Sequence, residues 1–235
     1  MELGYWGIKG IAEPIRWLIA VLGLQVKEYN PASMEEWFGE KKQSLGLPFP
    51  NLPYLVDGDF KVSESLAIPL YLCNKAGKPE LLGKDIKEQA VVREIEGVFL
   101  DIRKEIYQVI FGAADHKANW EKAIAPTSVI STKLAYLEKF LGDKEFFLGH
   151  LTYADLLFAY YSEFIWAISD SFGIKNPIEV RFGKLDKFCY KIHDLAGVKE
   201  RHVASLNIPY MPPSMLKFHL STFGEVWTKF TAEKK

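Results

Sequence analysis

Two short alternating runs joined by a tight turn constrain the fold of this chain more than any other feature. The runs are PYLVDG and FKVSES, and they meet at Asp57, Gly58 and Asp59. An Asp-Gly pair between runs of this kind is a strong local signal for a β-hairpin. The turn therefore predicts two neighbouring antiparallel strands in the first third of the chain.

The residues around the hairpin alternate between strand and helix. LGYWGI (Leu3–Ile8) and LQVKEYN (Leu24–Asn30) suit short strands, and between them IAEPIRWLIAVLG has apolar residues at helical spacing and ends at Gly23. After the hairpin, Ser65 is a candidate N-cap for the helix LAIPLYLCNKAG. A β-α-β unit followed by a hairpin and a helix predicts an α/β thioredoxin-like N-terminal domain.

The pattern changes after Gly77. The segment KPELLGKD is typical of a linker, and the residues from Ile86 to about Phe223 contain long helical segments with no convincing strand. We predict a thioredoxin-like domain over residues 1–77, a linker over 78–86, and an all-α C-terminal helical domain over 87–235.

Composition and charge exclude several classes of protein. The 235 residues contain 29 basic and 30 acidic side chains, so there is no charge excess for nucleic acid or an anionic membrane. The apolar run LLFAYYSEFIWAI is interrupted by Ser162 and Glu163 and is shorter than the ~20 residues of a membrane span. It predicts a buried helix that begins with a capping box of Thr152 and Asp155. The absence of a signal-peptide pattern and the presence of only two cysteines predict a reducing, cytoplasmic setting.

The first strand is followed by a candidate catalytic side chain. Thioredoxins have C-x-x-C at this place, but this chain reads GYWGIKGIAE, without cysteine. A protein of this fold without its own thiol must act on a thiol that a ligand supplies. The Tyr5 hydroxyl is the candidate donor of a hydrogen bond to that sulfur. A thiol of pKa ~8.5 is about 3% ionised at pH 7, and a shift of ~2 units, roughly 2.7 kcal/mol, makes it mostly thiolate.

Three stretches carry a resemblance to a known family. LGYWGIKGIAEPIRWL, LGLPFPNLPYLVDGDFKVSESLAI and FFLGHLTYADLLFAYY together resemble the cytosolic glutathione S-transferases, most closely the mu class. The resemblance covers nearly the whole chain. It implies that Tyr5 stabilises the thiolate of glutathione for nucleophilic addition to hydrophobic electrophiles. It also implies that glutathione is a co-substrate and that no cofactor or metal is needed.

The resemblance leaves one lysine of the glutathione site open. In the family, a tryptophan that matches Trp37 and a following lysine hold the glycyl carboxylate. This chain has one extra residue between Trp37 and Leu45. Counting from the tryptophan selects Lys41, and counting back from the leucine selects Lys42. The surrounding stretch, MEEWFGEKKQSL, is predicted to be polar and either mobile or partly helical.

Further glutathione contacts follow from the same resemblance. Trp6 and Ile11 match residues that line the site beside the tyrosine, and Asn51 matches a residue near the glycyl carboxylate. The backbone of Leu52 is expected to bind the cysteinyl moiety as an added strand would. This arrangement requires a cis peptide bond before Pro53.

The γ-glutamyl end of glutathione and the dimer involve a second group of residues. Glu64 and Ser65 match the family pair that binds this end of the ligand at the start of a helix. Asp101 matches an aspartate that approaches the ligand's ammonium from the partner subunit. Phe49 matches the aromatic key of the homodimer, whereas Leu70 aligns with an arginine often found near the two-fold axis. We therefore expect a homodimer with altered contacts.

The electrophile pocket departs from the mu pattern. Phe111 aligns with a second tyrosine that often assists epoxide opening or conjugate addition, and Tyr107 lies one turn earlier. No metal site is predicted, because the histidines are scattered without the spacing of metal ligands; they are His116, His150, His193, His202 and His219.

Two other functions stay open. The first is a glutathione-dependent isomerase or peroxidase of sigma type on the same scaffold, which the AEPIR segment favours because it is less mu-like than its surroundings. The second is a non-catalytic ligand-binding or structural relative. The second is disfavoured because the chain keeps the whole set of family site residues, namely Tyr5, Trp37, Asn51, Pro53 and Ser65.

Overall fold

The first part of the chain forms a four-stranded mixed sheet. The computed structural model describes residues 1–112, 115–213, 216, 218–222 and 225. The strands are β1 (Glu2–Gly4), β2 (Lys27–Tyr29), β3 (Tyr54–Asp57) and β4 (Phe60–Ser63). Their order in the sheet is β2-β1-β3-β4, with β1 parallel to β2 and antiparallel to β3. The first strand is shorter than predicted because the chain turns after Tyr5, where the Ile8 N–H donates to the Trp6 carbonyl at 2.7 Å.

The predicted hairpin is confirmed. Asp57 pairs with Phe60 across a turn of two residues, and Gly58 has a φ of +59°. A positive φ at the first turn residue is the conformation that glycine adopts most readily. The β-α-β unit, hairpin and following helix together confirm the thioredoxin-like arrangement.

Helix α1 (Glu13–Leu22) connects the first two strands. A short 3-10 turn, Gly10–Ala12, precedes it. The helix ends at Gly23 in the left-handed conformation, with a φ of +67°, as the sequence predicts. Its apolar face is fully buried, including Ile15 and Leu18.

Helix α2 (Ala67–Lys75) begins later than predicted, and Ser65 is not its N-cap. Glu64 has a φ of +82°, and its carbonyl accepts hydrogen bonds from the N–H groups of Ala67 and Ile68, both at 3.1 Å. Ser65 therefore lies inside a turn, and Leu66 is the residue that flanks the helix.

The stretch around Trp37 is helical throughout, which confirms the helical alternative for it. It consists of Met34–Glu36, a π-type turn over Trp37–Lys41, and Lys42–Ser44. In the π-type turn, the Lys42 N–H donates to the Trp37 carbonyl five residues earlier.

The rest of the described chain is helical. All four strands of the described residues lie before Glu64, which confirms the predicted order of an α/β part and an all-helical part. None of the helices in the described ranges is long and apolar enough to cross a membrane. The predicted linker contains a 3-10 turn, and the exact domain boundaries stay a prediction. The helices are α3 (Ile86–Phe111), α4 (His116–Ala123), α5 (Val129–Leu141), α6 (Tyr153–Ser171), α7 (Pro177–Arg181), α8 (Gly183–His193) and α9 (Val198–Ser205).

The buried helix α6 begins with the predicted capping box. The Asp155 carboxylate accepts the Thr152 N–H at 2.6 Å, the Thr152 hydroxyl at 2.8 Å and the Phe147 N–H at 3.0 Å. Burial raises the pKa of Asp155 to about 6, although these hydrogen bonds oppose the rise.

One continuous apolar core joins the two parts of the molecule. Helix α1 packs against α6 and α9. Leu3 and Leu18 from the first part belong to the same buried cluster as Phe99 and Phe158 from the helical part. The end of β1 therefore lies at the junction of the two parts.

Candidate functional site

Tyr5 directly follows β1, and both its backbone N–H and its carbonyl form hydrogen bonds. Its N–H donates to the Tyr29 carbonyl at 3.0 Å, and Asn30 Nδ2 donates to its carbonyl at 2.8 Å. The ring is buried, and its hydroxyl accepts the Ile11 N–H at 3.2 Å. These contacts fix the phenol at the junction of the two parts.

Gly10 allows the close approach of the Tyr5 hydroxyl. Its φ is +44°, and a Cβ atom at this position would lie 2.4 Å from the Tyr5 oxygen. The loop is anchored further by the N–H groups of Lys9 and Gly10, which donate to the carbonyls of Pro209 and Tyr210 at 2.8 and 3.0 Å. The sequence analysis did not select Gly10. The available signal was a glycine between a strand and a helix.

The surroundings of Tyr5 keep its hydroxyl protonated. Burial raises the pKa of Tyr5 above its usual value, and the Ile11 N–H and the charges of Arg16 and Arg103 offset only part of that rise. The phenol is therefore a hydrogen-bond donor at neutral pH. Arg16 also forms an ion pair with Glu28 at 2.9 Å.

The peptide bond between Leu52 and Pro53 is cis, as predicted. Both residues are buried immediately before β3. The exposed Asn51 amide lies 3.4 Å from a Glu64 carboxylate oxygen, and the half-buried Ser65 follows Glu64 in the chain. The structure thus brings these five predicted residues to one edge of the sheet.

The residues expected beside the tyrosine lie at this edge as well. Trp6 is half-buried and packs against a small apolar cluster that contains Tyr5 and Trp37. Ile11 and Ser65 line one narrow gap between the two parts of the molecule.

Trp37 and the two candidate lysines have different surroundings. Trp37 is buried and stacks on Tyr54 with ring centres 6.1 Å apart. Lys41 Nζ lies 4.5 Å above the Tyr29 ring centre, whereas Lys42 Nζ lies 5.1 Å from the ring centre of the neighbouring Phe38.

The residues predicted for the dimer lie on the outer surface. Phe49 is 77% exposed. Asp101 is an exposed residue of α3, and its carboxylate is 2.8 Å from Lys133 Nζ on α5. Their roles stay a prediction, since both depend on a second subunit.

An open cleft of about 530 Å³ lies along the C-terminal half of α3. The predicted electrophile residues Tyr107 and Phe111 border it, and their rings meet edge to face at 5.7 Å. Burial raises the pKa of Tyr107, and the nearby Tyr5 adds to the rise. The described residues that line the cleft are Leu100, Arg103, Lys104, Tyr107, Gln108, Phe111 and Gly112.

A buried charge network lies behind the Gly10 loop. Glu163 has no exposed side-chain surface, and one carboxylate oxygen is 2.9 Å from Lys9 Nζ and 3.1 Å from the Tyr210 hydroxyl. The other oxygen is 2.9 Å from His193 Nε2 and 2.7 Å from His202 Nδ1. Burial acts to raise the pKa of Glu163, but Lys9 and the histidines outweigh it and hold that pKa well below its usual range. The sequence analysis noted Glu163 as an interruption of an apolar run, and a buried charge requires such partners.

Three of these residues have donor atoms that could hold a metal ion. The ligand atoms of Glu163, His193 and His202 lie within 4.8 Å of one another, although the sequence spacing did not indicate this group. The Glu163 oxygen that does not contact the histidines already binds the Lys9 ammonium. A metal cation would therefore have to share the carboxylate with Lys9. The arrangement therefore favours a hydrogen-bonded network, and the absence of a metal site stays a prediction.

Comparisons with known proteins identify the family of this chain. The family model "Glutathione S-transferase, N-terminal domain" matches residues 1–74, and "Glutathione S-transferase, C-terminal domain" matches residues 100–200. Glutathione S-transferase class-mu 26 kDa isozyme 51 of Fasciola hepatica is 31% identical over 204 residues, which cover 84% of this chain and 86% of that protein.

A human relative and a solved structure indicate the same family. Glutathione S-transferase Mu 2 of Homo sapiens is 34% identical over 171 residues, which cover 65% of this chain and 73% of that protein. The crystal structure of the glutathione S-transferase Blo t 8 aligns with a TM-score of 0.80 at 27% identity, over 93% of this chain and 99% of that one. The chain belongs to the glutathione S-transferase family, and its named relatives are of the mu class.

Proposed function

We propose that this protein is a glutathione transferase, which activates the thiol of glutathione as a thiolate for addition to hydrophobic electrophiles. The observation that carries the proposal is the Tyr5 hydroxyl. It is buried, protonated and held by the Ile11 N–H at 3.2 Å. It is also near enough to Tyr107, which borders the open cleft, to contribute to the raised pKa of that phenol. Membership of the family supplies the tripeptide as the source of the thiol.

The hydroxyl lowers the pKa of the bound thiol by stabilising its charged form. A hydroxyl that accepts a hydrogen bond is polarised, so it donates more strongly to a sulfur anion. A shift of ~2 pKa units, roughly 2.7 kcal/mol, is within reach of one or two charge-assisted hydrogen bonds. With 1-chloro-2,4-dinitrobenzene, the sulfur forms a bond to the ring carbon, the carbon–chlorine bond breaks, and chloride leaves with the electron pair. The thiol proton goes to solvent.

The edge of the sheet orients the tripeptide in this proposal. Its glycyl end is held by Trp37, Asn51 and one of the two lysines, Lys41 or Lys42. The Leu52 backbone binds the cysteinyl moiety beside Pro53. The γ-glutamyl end and the sulfur are bordered by Glu64, Ser65, Trp6 and Ile11.

Replacement of Tyr5 by phenylalanine tests the mechanism. Tyr5→Phe removes the donor but keeps the ring that packs beside Trp37. We expect turnover of 1-chloro-2,4-dinitrobenzene to fall by roughly 10² or more, the range for loss of one preorganised donor, while glutathione affinity changes by only a few-fold. Steady-state kinetics and binding to immobilised glutathione measure the two effects.

The same kinetic and binding measurements separate an error in the role of Tyr5 from an error in the proposed function. Unchanged turnover would remove Tyr5 from the mechanism. Failure of the unaltered protein to bind glutathione or to consume the electrophile would overturn the proposed function as a whole.

The active form is proposed to be a homodimer. Phe49 is 77% exposed, and an apolar recess of about 350 Å³ lies between α3 and α5 of the same chain. In the dimer, Phe49 enters this recess of the partner subunit, and Asp101 on α3 approaches the partner's ligand. Phe49→Ser is expected to shift the protein to a monomer in sedimentation velocity. Six apolar or aromatic residues and two charged ones border the recess, namely Val91, Glu94, Ile95, Val98, Lys133, Tyr136, Leu137 and Phe140.

The protein is proposed to work in the cytoplasm without a bound cofactor. Both cysteines are free thiols, which suits a reducing compartment. Glutathione itself supplies the reactive sulfur, so the conjugation needs no further group.

A further inference from the structure

Arg103 lies between the proposed glutathione site and the open cleft. It is a half-buried residue of α3. It lines the narrow gap that also contains Ile11 and Ser65, and it lines the cleft that contains Tyr107 and Phe111. Its charge also acts on the Tyr5 hydroxyl. A group in the cleft can therefore contact Arg103 while the sulfur is at Tyr5.

The guanidinium of Arg103 lies near a hydroxyl group, and no described residue gives it a carboxylate partner. Its charge acts to lower the pKa of the nearby Tyr161, although burial raises that pKa overall. Within the described ranges, this guanidinium forms no ion pair of 4.0 Å or less, whereas Arg16 pairs with both Glu13 and Glu28. A partly buried cation loses hydration, and an anion that enters the site restores the lost interaction.

The cleft has the charge and polarity of a site for an anionic, otherwise apolar molecule. Leu100, Tyr107 and Phe111 supply apolar surface, while Arg103 and Lys104 are both cationic. Among the described residues, those that line the cleft include no acidic side chain. The complementary ligand therefore has an apolar body and a negatively charged group.

We propose that Arg103 selects electrophiles that carry a carboxylate beside an apolar body. This inference rests on the proposed glutathione transferase function. The planar guanidinium binds the carboxylate through two parallel hydrogen bonds, as its geometry allows. The bound carboxylate positions the reactive carbon next to the sulfur.

The chemical step with such a substrate is a conjugate addition. For an α,β-unsaturated ketone, the thiolate sulfur forms a bond to the β-carbon, and the π electrons of the double bond move to the enolate oxygen. A proton from solvent then adds to the α-carbon. The carboxylate takes no part in bond making and serves only for binding.

A matched pair of electrophiles tests the selection. Ethacrynic acid and its methyl ester share the same enone, and only the acid is anionic. We measure kcat/KM for each, divide by the uncatalysed rate with glutathione, and take the ratio of acid to ester. The unaltered protein is expected to favour the acid by roughly tenfold, the size of one charge-assisted hydrogen bond.

Three variants locate the effect. Arg103→Gln is expected to bring the ratio close to one, and Arg103→Lys to keep part of the preference, because it keeps the charge but loses the planar fork. Lys87→Gln removes the same charge from an exposed position on the same helix and is expected to keep the full ratio.

The outcomes separate this inference from the proposed function. A ratio near one in the unaltered protein, with both compounds consumed, overturns the role of Arg103 and leaves the transferase function intact. An equal fall for acid and ester in Arg103→Gln also overturns it, because Arg103 then acts on the sulfur. Loss of the preference for the acid in Lys87→Gln would show that the overall charge of the protein, and not Arg103, causes that preference. No catalysis with either compound by the unaltered protein contradicts the proposed function itself.

Discussion

At the scale of single residues, the position of the Tyr5 hydroxyl depends on the absence of a side chain at Gly10. A Cβ atom at position 10 would lie only 2.4 Å from the Tyr5 hydroxyl oxygen. The backbone of Gly10 also has a φ of +44°. Both conditions exclude larger residues. Gly7, three residues earlier, has neither constraint, since a Cβ there meets no atom within 4 Å.

Gly10→Ala is therefore expected to displace the phenol. A misplacement of about 1 Å can reduce a rate by 10², so we expect turnover of 1-chloro-2,4-dinitrobenzene to fall at least tenfold. Gly7→Ala is the matched control and is expected to retain normal turnover. Kinetics of the two variants side by side make the comparison. Equal activity of both would contradict the close approach at Gly10.

At the scale of one element, the π-type turn at Trp37 accommodates the extra residue before Leu45. π-type turns arise as single widened turns inside α-helices. In an α-helix, the fourth residue after Trp37 would lie on the same face one turn later. In the π-type turn, the fifth residue, Lys42, takes that place, and its N–H donates to the Trp37 carbonyl. Lys41 instead lies over the Tyr29 ring.

We therefore expect Lys42 to hold the glycyl carboxylate. Lys42→Met should raise the KM for glutathione several-fold with little change in kcat, because a binding contact is lost in the ground and transition states alike. Lys41→Met is the paired control, with the KM expected to stay within about twofold. The opposite pattern would show that the count from Trp37 is the correct alignment.

At the scale of the whole molecule, the Glu163 network joins the Gly10 loop to the helical part. The loop contributes Lys9, α6 contributes Glu163, and α8 and α9 contribute His193 and His202. Tyr210 closes the network. The network thus holds the loop that positions Tyr5, although it lies behind the site.

Glu163→Gln is expected to destabilise the fold strongly. It leaves the fully buried Lys9 ammonium without its carboxylate, and loss of one partner of a buried pair costs about 3–5 kcal/mol of unfolding free energy. Denaturation by urea, monitored by tryptophan fluorescence, measures the loss. Glu145→Gln breaks an exposed pair with Lys191 and is expected to change little. Equal effects of the two variants would refute the role of the buried network.

The same network predicts loss of stability in mild acid. Burial lowers the pKa of His193 from its usual 6.5, and the charges of His202 and Lys9 add to the fall. The hydrogen bond and the charge of Glu163 offset only part of it. As the pH falls below 6.5, the unfolded chain binds a proton that the folded protein excludes, so the free energy of unfolding decreases. The low pKa of Glu163 acts in the same direction at lower pH, because its stabilising charge is lost as the pH falls through the folded pKa.

Urea midpoints at pH 7.5, 6.5 and 5.5 test this dependence. The unaltered protein should unfold at progressively lower urea, and His193→Gln should show a shallower change with pH. His219→Gln, at a position that is 73% exposed, should keep the original dependence. Parallel curves for all three proteins would contradict the assignment to His193.

Several features of the fold could be predicted because their signals are local. The Asp57–Gly58 turn formed as expected, Gly23 ended α1, and Thr152 and Asp155 form the capping box. Each of these features depends on residues within a few positions of one another. The prediction that Ser65 caps α2 was wrong, because the positive φ of Glu64 makes a turn there and the helix begins after it.

The features that sequence reasoning missed depend on contacts between distant segments. Lys9 and Glu163 are 154 positions apart, and no spacing along the chain indicates that they meet. The position of Arg103, which has no ion-pair partner among the described residues, likewise depends on the fold, because α3 brings it to a gap that Ile11 and Ser65 also line. Alternation, turn residues and family motifs in the sequence thus specify the elements, and they select the candidate catalytic tyrosine and the edge that is proposed to receive the tripeptide. The packing of α3 against α6, and of α6 against α1, determines which charges are neutralised and which face the cleft, because burial and charge pairing are properties of the folded chain.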